Sequence, residues 1–199
     1  MKILIVGASG TIGKFVAAAL SERHEIVKAG SKSGDVQVDI KEAGSIRRMF
    51  DKVGKVDAVV AAVGKVHFGE FAKMTAAEIE VGLQDKLMGQ VNLVLIGRDY
   101  VKDGGSFTLT SGVLSHDPIR FGVGASLVNG ALDSFVRAAA IEMPRGIRIN
   151  SISPGVLEES LPSYGPYFRG HDAVPGKRVA NAYVKSIEGA LTGQVISVL

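Results

Sequence analysis

The 199-residue chain is 46% apolar and 22% charged, which suits one globular domain with a filled core and argues against disorder. It has no cysteine, so disulfides, thiolate metal sites and a cysteine nucleophile are excluded. Its formal charge of +3, from 23 basic and 20 acidic residues, comes without a basic run of the kind that grips nucleic acid.

Lys2–Val6 is a short, mostly β-branched run and reads as a buried strand. A glycine-rich turn at residues 7–13 follows, and residues 12–20 are apolar at helical spacing. Residues 25–29 and 36–38 read as the next strands, the last ending at Asp39. Ala43–Val53 reads as an amphipathic helix with Ile46, Met49 and Phe50 on one face. Residues 56–63 are almost continuously apolar, as in a parallel strand covered on both faces. Helical periodicity runs over residues 76–100, and a strand is expected over 105–110. A long apolar helix over 124–141 and a strand over 147–152 come next, then Pro154-Gly155. Residues 158–175, rich in Pro, Gly, Ser and Tyr, read as a long loop or small lid. A final amphipathic helix is expected over 177–188 and a closing strand over 194–199. Strands and helices alternate throughout, so the expectation is an α/β fold with one parallel sheet covered on both sides.

No stretch approaches the roughly 20 apolar residues of a membrane span, and the N-terminus has no signal-peptide pattern. A soluble, cytoplasmic protein with no nucleic-acid or membrane partner is therefore expected. The four histidines are scattered and no carboxylate cluster has ligand spacing, so no metal site is expected. No Gly-x-Ser-x-Gly nucleophile elbow occurs.

The first chemical signal is Gly7-Ala8-Ser9-Gly10-Thr11-Ile12-Gly13, placed between a strand and a helix. Gly7 permits the tight turn, Gly10 lets backbone approach a pyrophosphate, and Gly13 lets the helix pack on the sheet. The helix start then offers free N–H groups and a positive dipole end to phosphate. NAD binders usually carry an acid at the end of the second strand. Here the chain reads Gly30-Ser31-Lys32-Ser33, with no acid before Asp35. Lys32 between two serine hydroxyls suits a 2′-phosphate, so NADP(H) is the expected cofactor; the alternative is a solvated turn with no phosphate contact.

These residues resemble the short-chain dehydrogenase/reductase family, nearly end to end. Gly7–Gly13 is similar to the family's cofactor loop, with Thr11 where a glycine is usual. Asp39-Ile40 resembles the acid that holds the adenine amino group. Ala61-Ala62-Val63-Gly64 is similar to the Asn-Asn-Ala-Gly segment, with both asparagines lost. The strand leading to Ser111 resembles the one that delivers the catalytic serine. Pro154-Gly155-Val156 is similar to the segment beside the nicotinamide. The resemblance implies a Rossmann-like doubly wound sheet of about seven strands, a small-molecule carbonyl substrate, and a homodimer or homotetramer built through the long helices.

The departures fall on the proton donor. On this alignment Val123 stands at the family tyrosine and Leu127 at its lysine, and neither can exchange a proton. Lys86 stands where an asparagine supports the proton relay. Ser111 can bond a substrate oxygen. Lys86 either points inward and stabilises an alkoxide or lies on a solvated face. His116 has the right chemistry for acid–base work or is a solvated loop residue. Tyr164, Tyr167 and His171 lie in the expected lid, where they either reach the substrate or pack on each other. Two functions follow: an NADPH-dependent reductase of an aldehyde or ketone with a non-standard proton donor, and a catalytically silent NADP(H)-binding sensor or scaffold.

Overall fold

In a computed structural model, which describes residues 1–199, seven strands form one all-parallel sheet. They are β1 (Lys2–Val6), β2 (Glu25–Gly30), β3 (Val36–Gln37), β4 (Val56–Ala61), β5 (Val101–Thr110), β6 (Arg148–Pro154) and β7 (Val195–Val198), in the order β3-β2-β1-β4-β5-β6-β7. The α/β doubly wound architecture expected from the alternation of elements is present. Side-chain alternation divides the strands between two cores. Leu4 and Val6 of β1 point to one face, Ile3 and Ile5 to the other.

The first face is covered by α2 (Ala43–Val53), α4 (Gly89–Gly97) and α5 (Val123–Glu142), through Phe50, Leu93, Leu132 and Val136. The second is covered by α1 (Thr11–Ser21) and α7 (Gly176–Glu188), through Val16, Leu20, Val179 and Tyr183. α3 (Ala76–Gly82) and the short α6 (Leu161–Tyr164) lie outside these layers. No helix is long and apolar enough to cross a membrane.

Two departures from the expected elements matter for the site. The helical stretch predicted over 76–100 is continuous from Ala76 to Gly97, but it is not α-helical throughout. α3 is followed by a π-helical turn at Leu83–Met88 and only then by α4, so Lys86 sits in a wide turn. Such turns locally rotate side chains out of α register. The expected lid is also partly ordered: α6 lies between 3₁₀ turns at Glu158–Ser160 and Gly165–Tyr167. Prolines at the starts of α6 and of the second turn set the backbone for these short pieces.

β5 begins earlier than residue 105 and is irregular there, with a register shift against β4 between Val56 and Ala58. Gly104, at φ +72° with open space around it, bends the chain at the rim where the strands start. At the other rim the chain leaves β1 toward β2 on one side, while β4 lies on the other. That reversal of direction opens a crevice at the carboxyl ends of β1 and β4, where α/β sheets bind ligands.

Candidate cofactor and active site

A cavity of about 710 Å³ occupies this crevice. Its floor is the glycine turn. A Cβ on Gly7 would lie 2.3 Å from the Ala62 carbonyl oxygen, and one on Gly13 would lie 2.1 Å from the Gly7 carbonyl oxygen. Both positions therefore require glycine, and Gly13 serves the packing of helix on strand, outside the cavity lining. α1 has no side-chain cap; the Gly10 amide donates to the Gly7 carbonyl at 3.0 Å, and the next amide to donate back is that of Lys14, to the Gly10 carbonyl at 3.1 Å. The amides of Thr11, Ile12 and Gly13 are thus left without helical acceptors. A phosphate group fits this combination of bare donors and dipole.

Most of the expected cofactor residues come together around that turn. Gly7, Ser9, Gly10, Thr11, Ile12, Ser31, Asp39, Ile40, Ala62, Val63, Pro154, Gly155 and Val156 line the cavity. Lys32, Ser33 and Ala61 do not. Ala61 is fully buried as the last residue of β4, with its carbonyl accepting the Thr110 hydroxyl at 2.5 Å. Lys32 and Ser33 are exposed beyond the end of β2, where the chain turns back on itself and the Asp35 carboxylate accepts the Lys28 amide at 2.8 Å. Asp39 is held in place because its amide donates to Ser45 Oγ at 3.0 Å and its Oδ1 accepts the Lys41 amide at 3.0 Å.

The reactive wall is built at the end of β5. Buried Gln90 from α4 clamps Thr110 twice: its Nε2 donates to the Thr110 carbonyl at 2.9 Å and its Oε1 accepts the Thr110 amide at 2.8 Å. The Ser111 amide donates to the Ile152 carbonyl at 2.9 Å. Ser111, 3% exposed, lines the cavity, and its hydroxyl donates a long bond to the Ile152 carbonyl at 3.5 Å. Lys86 also lines the cavity, and its ammonium donates to the Ser111 carbonyl oxygen at 2.9 Å. Lys86 thus points inward and not onto a solvated face. Burial pulls its pKa from 10.5 down to about 8, with the Asp133 carboxylate working in the opposite direction.

The α5 face differs from the sequence alignment. Val123 and Leu127 are 39% and 47% exposed and do not line the cavity. Ala125 and Asn129, each 3% exposed and one helical turn apart, do. The segment from Ser111 to α5 contains a 3₁₀ turn at Val113–Ser115 and a left-handed residue, Phe121 at φ +68°. The face turned to the cavity is thus displaced by two residues from the one the alignment gives. Asn129 Oδ1 is buried without a hydrogen-bond partner, an unmet acceptor beside the cavity that fits a sugar hydroxyl.

His116 is corrected as well. It is exposed and lines a separate surface hollow with Asp133 and Arg137, its Nδ1 3.3 Å from Ser115 Oγ. Of the three lid residues singled out in the sequence, only Tyr164 lines the cavity, where Ser160 and Phe168 of the same segment join it. Tyr167 packs edge-on to Phe121 at 6.0 Å, and His171 packs on Phe168 at 5.4 Å and lies 3.5 Å from the Asp117 carboxylate. Tyr183, whose pKa burial raises, bonds to the Thr110 hydroxyl at 2.5 Å on the core side of the sheet.

Comparison with known proteins agrees with this geometry. A family profile described as enoyl-(acyl carrier protein) reductase matches residues 7–183. The uncharacterised oxidoreductase YmfI of Bacillus subtilis is 26% identical, covering 98% of this chain and 96% of its own. The chain spans only 51% to 57% of the length of four further curated relatives. The crystal structure of the protein lin1944 from Listeria innocua superposes with a TM-score of 0.99 at 49% identity, covering 100% of both chains. A small-chain dehydrogenase in complex with NADPH superposes with a TM-score of 0.88 at 25% identity, covering 100% of this chain and 96% of its own. With a glycine cradle, a serine at the end of β5 and a profile match over most of its length, the chain belongs to the short-chain dehydrogenase/reductase family of oxidoreductases.

Proposed function

We propose that the protein is an NADPH-dependent reductase of aldehydes or ketones in which Lys86, held beside Ser111, replaces the family's usual proton donor. The observation that carries this reading is the 2.9 Å bond between the Lys86 ammonium and the Ser111 carbonyl at the cavity wall, with burial bringing that ammonium to about 8. An acid with a pKa near the working pH transfers protons most effectively.

The bare amides at the start of α1 hold the pyrophosphate, and Asn129 Oδ1 accepts a ribose hydroxyl. Bound there, the dinucleotide supplies the hydride. Ser111 Oγ donates to the substrate oxygen and fixes its position. Lys86 keeps two ammonium protons beyond the one given to Ser111; it steadies the charge growing on that oxygen and then protonates it, becoming a neutral amine. The preference for NADPH rests on Ser31 at the cavity edge, on Lys32 next to it and on the lack of an acid before Asp35; the NADPH complex of the related dehydrogenase supports it. The subunits pair as a homodimer or homotetramer through the exposed apolar side chains Leu95 of α4 and Val123 and Leu127 of α5.

The test is oxidation of NADPH, followed by absorbance, against a panel of carbonyl compounds. Turnover is expected, and Lys86→Ala should reduce kcat by about 10²–10⁴-fold while NADPH affinity stays within a few-fold. A loss of only a few-fold would remove Lys86 from the role.

Ala125 and Asn129 favour a second reading, since the α5 face toward the cavity carries no group that exchanges a proton. On that reading the protein is a silent NADP(H) sensor or scaffold. Tight NADPH binding without turnover on any carbonyl would establish it.

A further inference from the structure

The two ends of the cavity are chemically unlike. The glycine-turn end is polar backbone. The opposite end is walled by a small apolar cluster separate from both sheet cores: buried Val113, Leu114 and Ala125, with Val66, Phe68 and Phe168 packed against them. All six line the cavity. Residues that sit between sheet and helix bury their apolar surface in the fold; this cluster spends part of its surface on the cavity instead. Tyr164 of α6 also lines it, its ring 5.7 Å from that of Phe68 at a tilt of 57°. Aromatic rings in such arrangements accept a further flat ring at an edge or offset face.

The charged residues of the lining are Asp39, Lys41, Lys65, Asp85 and Lys86; Lys65, next to Val66, is exposed. Asp39 and Lys41 lie beyond the end of β3. The Asp85 carboxylate is taken by the Lys65 amide at 2.8 Å, and Lys86 stands at the reactive centre. Two of the three segments that form the apolar end, from Val113 to Asn129 and from Val156 to Phe168, contribute no charged side chain to the cavity; the third, carrying Val66 and Phe68, adds the exposed Lys65. A small keto acid would leave this apolar end unfilled, whatever its carboxylate gained from the Lys86 ammonium. An iminium substrate would be repelled by the Lys86 ammonium.

We infer that this end selects a flat, uncharged, apolar acceptor of the aryl ketone or aryl aldehyde type, and that Ala125 is the residue whose small side chain makes room for the ring. The inference rests on the carbonyl-reductase reading and adds the substrate class to it. Ala125 presents a single methyl between Leu114 and the cavity, one turn from Asn129. A leucine there would extend into the volume the ring would use, while the glycine turn at the other end is untouched.

Binding separates the inference from the reading beneath it. Acetophenone and pyruvate are titrated by calorimetry into protein saturated with NADP⁺, which cannot reduce them, and NADPH is titrated alone. Acetophenone should bind at least about tenfold more tightly than pyruvate, the scale for burying one ring-sized apolar group. Ala125→Leu and, separately, Phe168→Ala should each weaken acetophenone about tenfold or more and leave NADPH affinity within a few-fold. Acetophenone binding no tighter than pyruvate, with NADPH bound normally, overturns the substrate class and leaves the cofactor site standing. Normal acetophenone binding by a folded Ala125→Leu variant overturns the role of Ala125. Failure of NADPH itself to bind removes the cofactor site and the inference with it.

Discussion

Burial strips water from the Lys86 ammonium, and the pKa of about 8 records that cost. The folded value lies below the ordinary one of 10.5. Between these two pH values the unfolded chain binds a proton that the native chain lacks, so native stability gains from Lys86 as pH rises through the interval; below about 8 the penalty is complete. Lys86→Met should accordingly raise Tm at pH 7, at about 2–4 °C for each kcal/mol recovered, with a smaller gain near pH 10, both read by calorimetry. Catalysis has the opposite dependence. In the proposed mechanism the protonated ammonium is the acid, so kcat should be flat below about 8 and fall above it. Of the groups around Lys86, Asp133 on α5 favours its charged form. Asp85 beside it is occupied by the Lys65 amide. Asp133→Asn should move the fall in kcat to lower pH; an unchanged profile would show that a different group limits the rate.

The elements show what a sequence can and cannot specify. Thr75 and Glu78 form a reciprocal capping box at the start of α3: Thr75 Oγ1 accepts the Glu78 amide at 3.3 Å and the Glu78 carboxylate accepts the Thr75 amide at 2.8 Å. Thr75→Ala should cost about 0.5–2 kcal/mol in urea unfolding. Glycine spacing and uninterrupted apolar runs made β1, β4 and the phosphate turn readable, because burial on both faces and close backbone approach admit few residue types. The α5 face was misread by two residues: the alignment set Val123 and Leu127 at the family's tyrosine and lysine, whereas Ala125 and Asn129 face the cavity. A usable signal was present: Asn129 and Asp133, four apart and both buried in an otherwise apolar helix, mark a face turned toward something polar. The π turn under Lys86 has no sequence mark we recognise. His116 was misplaced because proximity along the chain to Ser111 says nothing of which side of α5 the loop follows.

For the molecule as a whole, parallel strands send every functional loop to one rim of the sheet. The outer faces of α4 and α5 leave Leu95, Val123 and Leu127 exposed, the surface assigned above to subunit pairing. Light scattering after gel filtration should give a dimer or tetramer, and Leu95→Glu combined with Leu127→Glu should release monomers; a wild-type monomer would reject that assembly. The rim at which the strands begin is a different environment. Gly104 sits there in open space, at the far end of β5 from Ser111. A fluorophore or short affinity peptide spliced in at Gly104 should therefore report on the protein without disturbing nucleotide capture, which makes this bend the natural attachment point for immobilised or single-molecule measurements.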